Sequence, residues 1–169
     1  MIYSFLQNGD SAVTVQFKNE ISKEVNRQVT GLCNRIEAKH IDGIVELVPT
    51  FASLTVFYDC TIINSKKLKK KIEALINGKE CDVKSTAKVW NIPVCYDDEF
   101  ALDMKNVCSH TALEREEVIK LHTSKPYLIY MLGFLPGFAY LGGMDERLFT
   151  PRLKTPRLEI FEGAVGIGG

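Results

Sequence analysis

Two short runs of mostly apolar residues, separated by a short polar segment, occupy the first seventeen positions of the chain. The runs from Ile2 to Gln7 and from Ala12 to Phe17 have the length and composition of short strands. Between them, Asn8, Gly9 and Asp10 tolerate the positive φ angles that tight hairpins require. The pattern therefore predicts a β-hairpin at the start of the chain.

From residue 19 onward the period changes to that of a helix, because apolar residues recur every three or four positions. These residues are Ile21, Val25, Val29, Leu32, Cys33 and Ile36. We expect one long amphipathic helix that ends near His40, with Asn19 or Ser22 as its N-cap. Two more strands, Ile44 to Pro49 and Leu54 to Tyr58, are predicted from their β-branched and aromatic residues.

A second helix, roughly Asn64 to Asn77, carries a run of lysines between Lys66 and Lys71. The run could form a patch for an anionic surface. However, the apolar residues of the helix make one stripe, which favours a solvated lysine face opposite the core. The predicted order β-β-α-β-β-α over residues 1–80 is that of a small two-layer α+β domain.

Residues 81–88 are polar and are interpreted as a linker, followed by a second domain over residues 89–169. That domain is predicted to begin with a strand from Val89 to Tyr96. Two short helices follow, from about Leu102 to Val107 and from Leu113 to His122, and then an apolar strand from Tyr127 to Phe134. The helix pair resembles a helix-turn-helix in outline, but it lacks the basic recognition face that DNA binding needs.

Residues 133–143 hold four glycines, one proline and three aromatic residues. Glycines allow a ligand to approach backbone N–H groups closely, and aromatic side chains can form the wall of a cavity. An equally good interpretation is a tightly packed corner of a barrel, in which the glycines avoid clashes. The aromatic residues that would wall the cavity are Phe134, Phe138 and Tyr140.

One tripeptide occurs twice after this segment, as Thr150-Pro151-Arg152 and Thr155-Pro156-Arg157. Proline restricts the backbone, and the guanidinium group of arginine matches phosphate or carboxylate with paired N–H donors. Arg152 and Arg157 are therefore candidate anion-binding residues. The alternative is that they form surface ion pairs with Asp145, Glu146 or Glu159.

The composition is that of a globular protein: 46% of the 169 residues are hydrophobic, 25% are charged, and the formal net charge is zero. The absence of a positive field argues against nucleic-acid binding. No apolar run reaches membrane-spanning length, and no leader peptide is evident, so we expect a cytoplasmic protein. Five scattered cysteines and three isolated histidines predict neither a disulfide framework nor a metal site.

Catalytic residues cannot be assigned from the sequence. A G-x-x-x-x-G-K-[ST] phosphate loop and a G-x-S-x-G nucleophile elbow are both absent. These absences argue against a complete P-loop nucleotide hydrolase or a serine hydrolase.

Several blocks of the sequence, among them the glycine-rich segment and the two Thr-Pro-Arg tripeptides, resemble the family of the B component of 5-oxoprolinase. This family is also known as allophanate hydrolase subunit 1 and includes an inhibitor of a sporulation histidine kinase. The resemblance extends along the whole chain, and the long glycine-rich string is its most specific part. The matching blocks are Gly9 to Ala12, Val48-Pro49, Ser53 to Asp59, Gly133 to Asp145, Thr150 to Arg152, Thr155 to Arg157 and Glu162 to Gly169.

The resemblance implies a small α+β domain followed by a cyclophilin-like β-barrel. Members of the family usually continue past the Gly168-Gly169 pair, through segments containing Gly-Ile-Tyr-Pro and Ser-Pro-Gly-Gly-Trp, and neither occurs in this sequence. We therefore expect the barrel to be incomplete, lacking the last part of the carboxyl-terminal domain.

The resemblance also implies a function: the B component of an ATP-dependent 5-oxoprolinase, which opens 5-oxoproline to glutamate with ATP as co-substrate and no metal bound by this chain. The site would be shared with a C component of the enzyme, and a separate A component would complete the complex. The alternative is a regulatory inhibitor that binds a sensor histidine kinase. The residues implied to bind substrate or nucleotide are Gly133, Phe134, Pro136, Gly137, Tyr140, Gly142, Gly143, Arg152 and Arg157.

Overall fold

A computed structural model describes residues 2–78 and 88–168 of the protein. Contacts among these residues divide the chain into two compact units. The first contains residues 2–78 together with residues 129–142, and the second contains residues 88–128 and 143–168. The predicted linker at 81–88 lies outside the described residues except for Lys88. The domain boundaries given by the sequence stay a prediction.

The first unit is built on a four-stranded sheet with the strand order β1-β2-β4-β3, in which all neighbours are antiparallel. Two helices accompany the sheet, and the order β-β-α-β-β-α confirms the sequence prediction. The elements are β1 (Tyr3–Asn8), β2 (Ala12–Phe17), α1 (Lys23–Lys39), β3 (Ile44–Pro49), β4 (Ser53–Tyr58) and α2 (Ser65–Asn77).

The core of the first unit lies between one face of the sheet and the two helices. In the central pair of strands, Val13 faces Val56 and Val15 faces Leu54, and all four side chains are fully buried. Helices α1 and α2 cover this face with their apolar stripes. Side chains repeat about every two residues along a strand and about every 3.6 residues along a helix. Each layer therefore presents one apolar surface to the other, which gives the two-layer α+β arrangement.

The N-cap and the end of α1, and the exposed lysine face of α2, agree with the sequence analysis. The Oγ of Ser22 accepts a hydrogen bond from the Val25 amide at 3.2 Å and caps α1, which ends at His40 with a positive φ of 45°. In α2, the buried stripe faces the core, and the lysines are exposed except for Lys69, which is half-buried. The lysine run is thus the solvated face of α2.

The second unit has a small core of its own, formed by Met104, Val118 and Leu148. Its helices are α3 (Met104–Thr111) and α4 (Arg115–Thr123), and a 3₁₀ turn spans Glu146–Leu148. The two short helices predicted from the sequence are confirmed. No helix in either described range is long and apolar enough to cross a bilayer.

The strand predicted from Val89 to Tyr96 is wrong. These residues join no sheet, and most of their apolar side chains, including Trp90 and Ile92, are exposed. A strand needs a hydrogen-bonding neighbour as well as a β-rich composition, and no described strand lies beside this segment. In residues 88–168, β5 (Leu128–Leu132) and β6 (Ala139–Gly142) are the strands that the structure describes, so the barrel expected in this region is not closed there.

Candidate functional site

The glycine-rich segment forms a β-hairpin. Strands β5 and β6 pair with each other, and residues 133–138 connect them. The Gly133 amide donates to the Phe138 carbonyl at 3.1 Å, and the Phe138 amide donates to the Leu135 carbonyl at 3.0 Å. We call residues 133–138 the hairpin loop. Pro136 lies exposed in this loop.

The hairpin loop holds its backbone in two left-handed conformations. Gly137 has a φ of 79°, which glycine adopts without a steric penalty. Phe134 has a φ of 67°, and its side chain is 81% exposed. An aromatic residue in this region of φ is uncommon and carries local strain, a feature that concentrates at functional sites.

Two amide groups of the loop are available to a ligand. Within the described part of the chain, no acceptor receives the N–H of Phe134 or of Gly137. Both residues are exposed to solvent. Backbone N–H groups in a turn of this kind can donate to a carboxylate, a phosphate or a developing oxyanion.

A row of aromatic rings runs through the hairpin. Phe134 contacts Phe138 at 5.8 Å between ring centroids, Phe138 contacts Tyr140 at 5.1 Å, and both pairs are edge to face. Tyr140 in turn contacts Phe51 at 5.9 Å, and Phe51 stacks on Tyr130 at 5.4 Å. The row therefore leads from the most exposed ring, Phe134, to the buried Tyr130.

Two members of this row were missed by the sequence analysis. Phe51 lies in the turn between β3 and β4, far from the hairpin in the sequence, and Tyr130 lies within β5. The apolar strand pattern does not distinguish Tyr130 from its neighbours. Turns usually expose polar residues. The one signal for Phe51 was therefore its large aromatic side chain in a tight turn between two strands, which indicates a contact with another part of the chain.

The predicted glycines have different structural surroundings. A methyl group at Gly142 would lie 2.3 Å from Cε2 of Tyr130, so the absence of a side chain allows that ring to pack on the strand. At Gly133 it would lie 3.1 Å from Cε of Met131, and at Gly137 it would meet open space. Packing thus explains Gly142, whereas backbone conformation explains Gly137. Their roles in ligand binding stay predictions.

A buried polar contact joins the hairpin to helix α1. Nδ2 of Asn26 donates to the Tyr130 carbonyl oxygen at 3.1 Å, and Asn26 is only 6% exposed. The sequence analysis missed this contact because the partner is a backbone atom 104 positions away. A polar residue beside Val25, on the buried face of α1, was the only hint in the pattern.

The other predicted site residues, Gly143, Arg152 and Arg157, belong to the second unit. Arg157 makes a two-pronged ion pair with Asp103, at 2.5 and 2.7 Å. The Arg157 guanidinium lowers the pKa of the Asp103 carboxyl group. Arg152 is exposed and has no carboxylate within ion-pair distance among the described residues.

The carboxylates expected as alternative partners of the two arginines behave differently. Asp145 binds Arg147 at 2.9 and 3.0 Å, and these hydrogen bonds lower its pKa to about 2. Arg157 instead pairs with Asp103, which the sequence analysis did not consider. The anion-binding role of Arg152 and Arg157 is not tested by these contacts and stays a prediction.

The second unit also contains a half-buried cluster of titratable groups. The Tyr96 hydroxyl is hydrogen-bonded to Nδ1 of His122, and the Tyr127 ring packs against the imidazole at 5.5 Å. Burial lowers the pKa of His122 and raises the pKa of Tyr96. Arg115 supports the cluster by donating to the Tyr96 carbonyl and to Asp98. The burial of His122 favours a neutral imidazole.

In residues 2–78 and 88–168, no three His, Cys, Asp or Glu side chains lie close enough together to bind a metal ion. Among the predicted site residues, the features able to contact an organic anion include the loop amides of Phe134 and Gly137 and the exposed guanidinium of Arg152. They lie in different units.

Comparison with known proteins identifies the family. The family described as carboxyltransferase domain, subdomain C and D, matches residues 3–169. A Bacillus subtilis protein named as the B subunit of 5-oxoprolinase is 38% identical over 177 residues, covering 99% of this chain and 74% of that protein. A Haemophilus influenzae protein of the same name is 35% identical over 161 residues, covering 95% of this chain and 73% of that protein.

A solved structure shows the same fold. The crystal structure of TTHA0988 matches 88% of this chain with a TM-score of 0.75 and 30% sequence identity, and the match covers 29% of that longer chain. The resemblance stated from the sequence motifs is confirmed by these matches. The chain therefore belongs to the family of the 5-oxoprolinase B component, and nearly all of its length corresponds to subdomains C and D of the carboxyltransferase domain.

Proposed function

We propose that this chain is the B component of an ATP-dependent 5-oxoprolinase, which opens 5-oxoproline to glutamate together with the C and A components. The observation that carries the proposal is the 38% identity to a protein named as the B subunit of 5-oxoprolinase, over 99% of this chain. In the reaction the lactam C–N bond breaks, and water supplies a hydroxyl group to the carbonyl carbon and a proton to the nitrogen. Hydrolysis of ATP to ADP and phosphate drives the opening.

The hairpin loop offers the contacts that such a substrate needs. 5-Oxoproline carries a carboxylate and an amide carbonyl on a small ring. The free amides of Phe134 and Gly137 can donate to either oxygen group, and the faces of Phe134 and Phe138 can pack against the ring. Arg152 and Arg157 are the proposed partners of phosphate or carboxylate.

The need for partner proteins follows from what the chain itself does not supply. Its sequence has no phosphate-binding loop of the P-loop type and no nucleophile elbow. Several aromatic and aliphatic side chains of the hairpin are also exposed, with Phe134 at 81%, Leu132 at 60% and Leu135 at 59%. A partner that covers this hairpin would complete a site sheltered from water.

The test is reconstitution. The chain is co-purified with the candidate C component, the A component is added, and glutamate formation is measured with ATP and 5-oxoproline each present or omitted. We expect turnover only with all three proteins and both substrates. An assembled complex that forms no glutamate, or a chain that does not bind the C component, would contradict the proposal.

A pair of matched variants links turnover to the hairpin loop. Phe134→Ala removes an exposed loop ring, and Phe57→Ala removes another exposed ring, on strand β4 and outside the hairpin. We expect the first variant to lower turnover by about tenfold or more and the second to change it less than about twofold. Inhibition of a sensor histidine kinase and a cytoplasmic location stay predictions from the sequence.

A further inference from the structure

We infer that Asn26 is a positioning residue, whose side-chain amide fixes the glycine-rich hairpin against the N-terminal sheet and helix layer. The effect on turnover rests on the proposed function, in which the hairpin loop contacts the substrate. The anchoring of the hairpin itself does not. The two parts of the inference can therefore be tested separately.

The position of Asn26 is unusual for its side chain. It lies on the face of α1 that packs on the sheet, next to Val25 and one turn before Val29, both buried. A buried amide costs free energy unless it is hydrogen-bonded, and an apolar residue would pack here without that cost. The Asn26 side chain has a partner, the Tyr130 carbonyl at 3.1 Å, and this partner belongs to strand β5 of the hairpin.

This hydrogen bond fixes more than one backbone atom. Tyr130 stacks on Phe51 and lies against Gly142. Its placement therefore determines where β5 lies relative to Phe51 and how far β5 is from β6. Phe51 also contacts Tyr140, which continues to the loop ring Phe138. A one-residue slip of β5 would turn its side chains to the opposite face, and the Asn26 contact opposes such a slip.

Hydrogen exchange measured by mass spectrometry tests the anchoring. Asn26→Leu keeps the number and branching of side-chain heavy atoms, removes the donor and leaves the Tyr130 carbonyl without its Asn26 partner. We expect amide exchange in residues 129–142 to accelerate about tenfold, whereas exchange in the central strands β2 and β4 changes little.

Thr14→Val is the matched control. Thr14 is also buried, and its hydroxyl is hydrogen-bonded to Thr55 at 2.8 Å and accepts from Nδ2 of Asn8 at 2.6 Å, so the variant loses buried polar contacts away from residues 129–142. We expect it to leave exchange of the hairpin relative to the sheet unchanged. Equal hairpin exchange in the wild type and Asn26→Leu would overturn the inference. So would a uniform acceleration across the unit in both variants.

Turnover of the reconstituted complex tests positioning. We expect Asn26→Leu to lower kcat by about tenfold, Thr14→Val to stay within about twofold, and Asn26→Gln, which keeps an amide donor, to recover part of the loss. Equal kcat values for the wild type and Asn26→Leu would overturn the positioning role. If the wild-type complex forms no glutamate, the proposed function fails, and the exchange experiment still decides the anchoring.

A measurement on the wild-type protein covers the case in which Asn26→Leu does not fold. The side-chain amide protons of Asn26 are followed by NMR after transfer to deuterated water. Slow exchange supports a persistent bond to Tyr130, and exchange as fast as that of the exposed Asn34 side chain overturns it.

Discussion

The ring of Tyr130 lies directly on the backbone of Gly142, so close that a methyl group at position 142 would sit 2.3 Å from Cε2 of the ring. We therefore expect Gly142→Ala to displace Tyr130 and to destabilise the first unit by about 1–3 kcal/mol, the usual cost of overpacking. For a unit of this size, each kcal/mol lowers the melting temperature by about 4–8 °C. Thermal unfolding followed by circular dichroism measures the effect.

Gly31→Ala is the control for this prediction. Gly31 lies inside α1, where a methyl group would come no closer than 4.0 Å to a neighbouring side-chain atom. Alanine has the higher helix propensity, so this variant should raise stability by roughly 0.5–1 kcal/mol. If Gly142→Ala leaves the melting temperature unchanged or raises it, Tyr130 does not pack on Gly142 as described.

Much of the first unit could be predicted from the sequence because its elements are locally amphipathic. The stripe of α1 from Val25 to Ile36 and the alternation in β4 each reflect one buried face, whereas nearly all of β2 is buried. The segment from Val89 to Tyr96 has a similar apolar content, yet it forms no strand. Pairing depends on a neighbour elsewhere in the chain, which a local pattern does not reveal.

The candidate site could likewise be predicted only in part from the sequence. Glycines and aromatic residues indicated a special segment over residues 133–143, either a ligand pocket or a barrel corner, but not that Ala139–Gly142 forms a strand paired with β5. Phe51 and Asn26 reach the hairpin only through the tertiary fold, from distant positions in the sequence. The predicted partners of Arg157 were its neighbours in sequence, whereas the actual partner, Asp103, is 54 positions away.

A fragment of residues 1–80 tests the predicted domain boundary. The main core consists of residues between Val13 and Ile76, so the fragment contains all of it. We expect a cooperative thermal transition and dispersed NMR signals. The melting temperature should be lower than in the full chain, because Asn26 and Phe51 lose Tyr130 as a partner, a loss of about 1–3 kcal/mol. A fragment without a cooperative transition would contradict the boundary.

The His122 cluster predicts a pH dependence for the second unit. Burial lowers the pKa of His122 below 6.5, so the folded state prefers the neutral imidazole. Between the folded pKa and 6.5, the unfolded chain binds more protons than the folded chain. The contribution of His122 to the free energy of unfolding is therefore fully present above about pH 6.5 and is lost as the pH falls through the pKa of the folded state.

Two measurements check this prediction. An NMR titration of His122 should give a midpoint below 6.5, and urea unfolding should show lower stability at acidic pH than at neutral pH. His122→Gln should reduce the pH dependence, whereas replacement of the exposed His110 should leave it in place. A His122 midpoint at or above 6.5 would show that the imidazole is not buried as described.

The last prediction separates the two roles of Arg157, ion pairing and anion binding. The Arg157 and Asp103 side chains are 36% and 41% exposed, and ion pairs at such exposure contribute little to stability. If the pair is the whole role of Arg157, then Arg157→Ala and Asp103→Ala should have the same small effect on turnover. If Arg157 binds phosphate or carboxylate, Arg157→Ala should lower kcat/KM by about a hundredfold or more, whereas Asp103→Ala should lower it far less.

Lysine substitution sharpens the comparison, because a lysine ammonium group keeps the charge but cannot reproduce the paired donors of a guanidinium. We expect Arg157→Lys and Arg152→Lys to lower kcat/KM of the reconstituted complex by a large part of the alanine effect, with melting temperatures close to that of the wild type. Arg152 has no carboxylate partner among the described residues, so a loss at this position is not explained by an ion pair within that part of the chain. Wild-type turnover by both alanine variants in an active complex would remove the arginines from the proposed site.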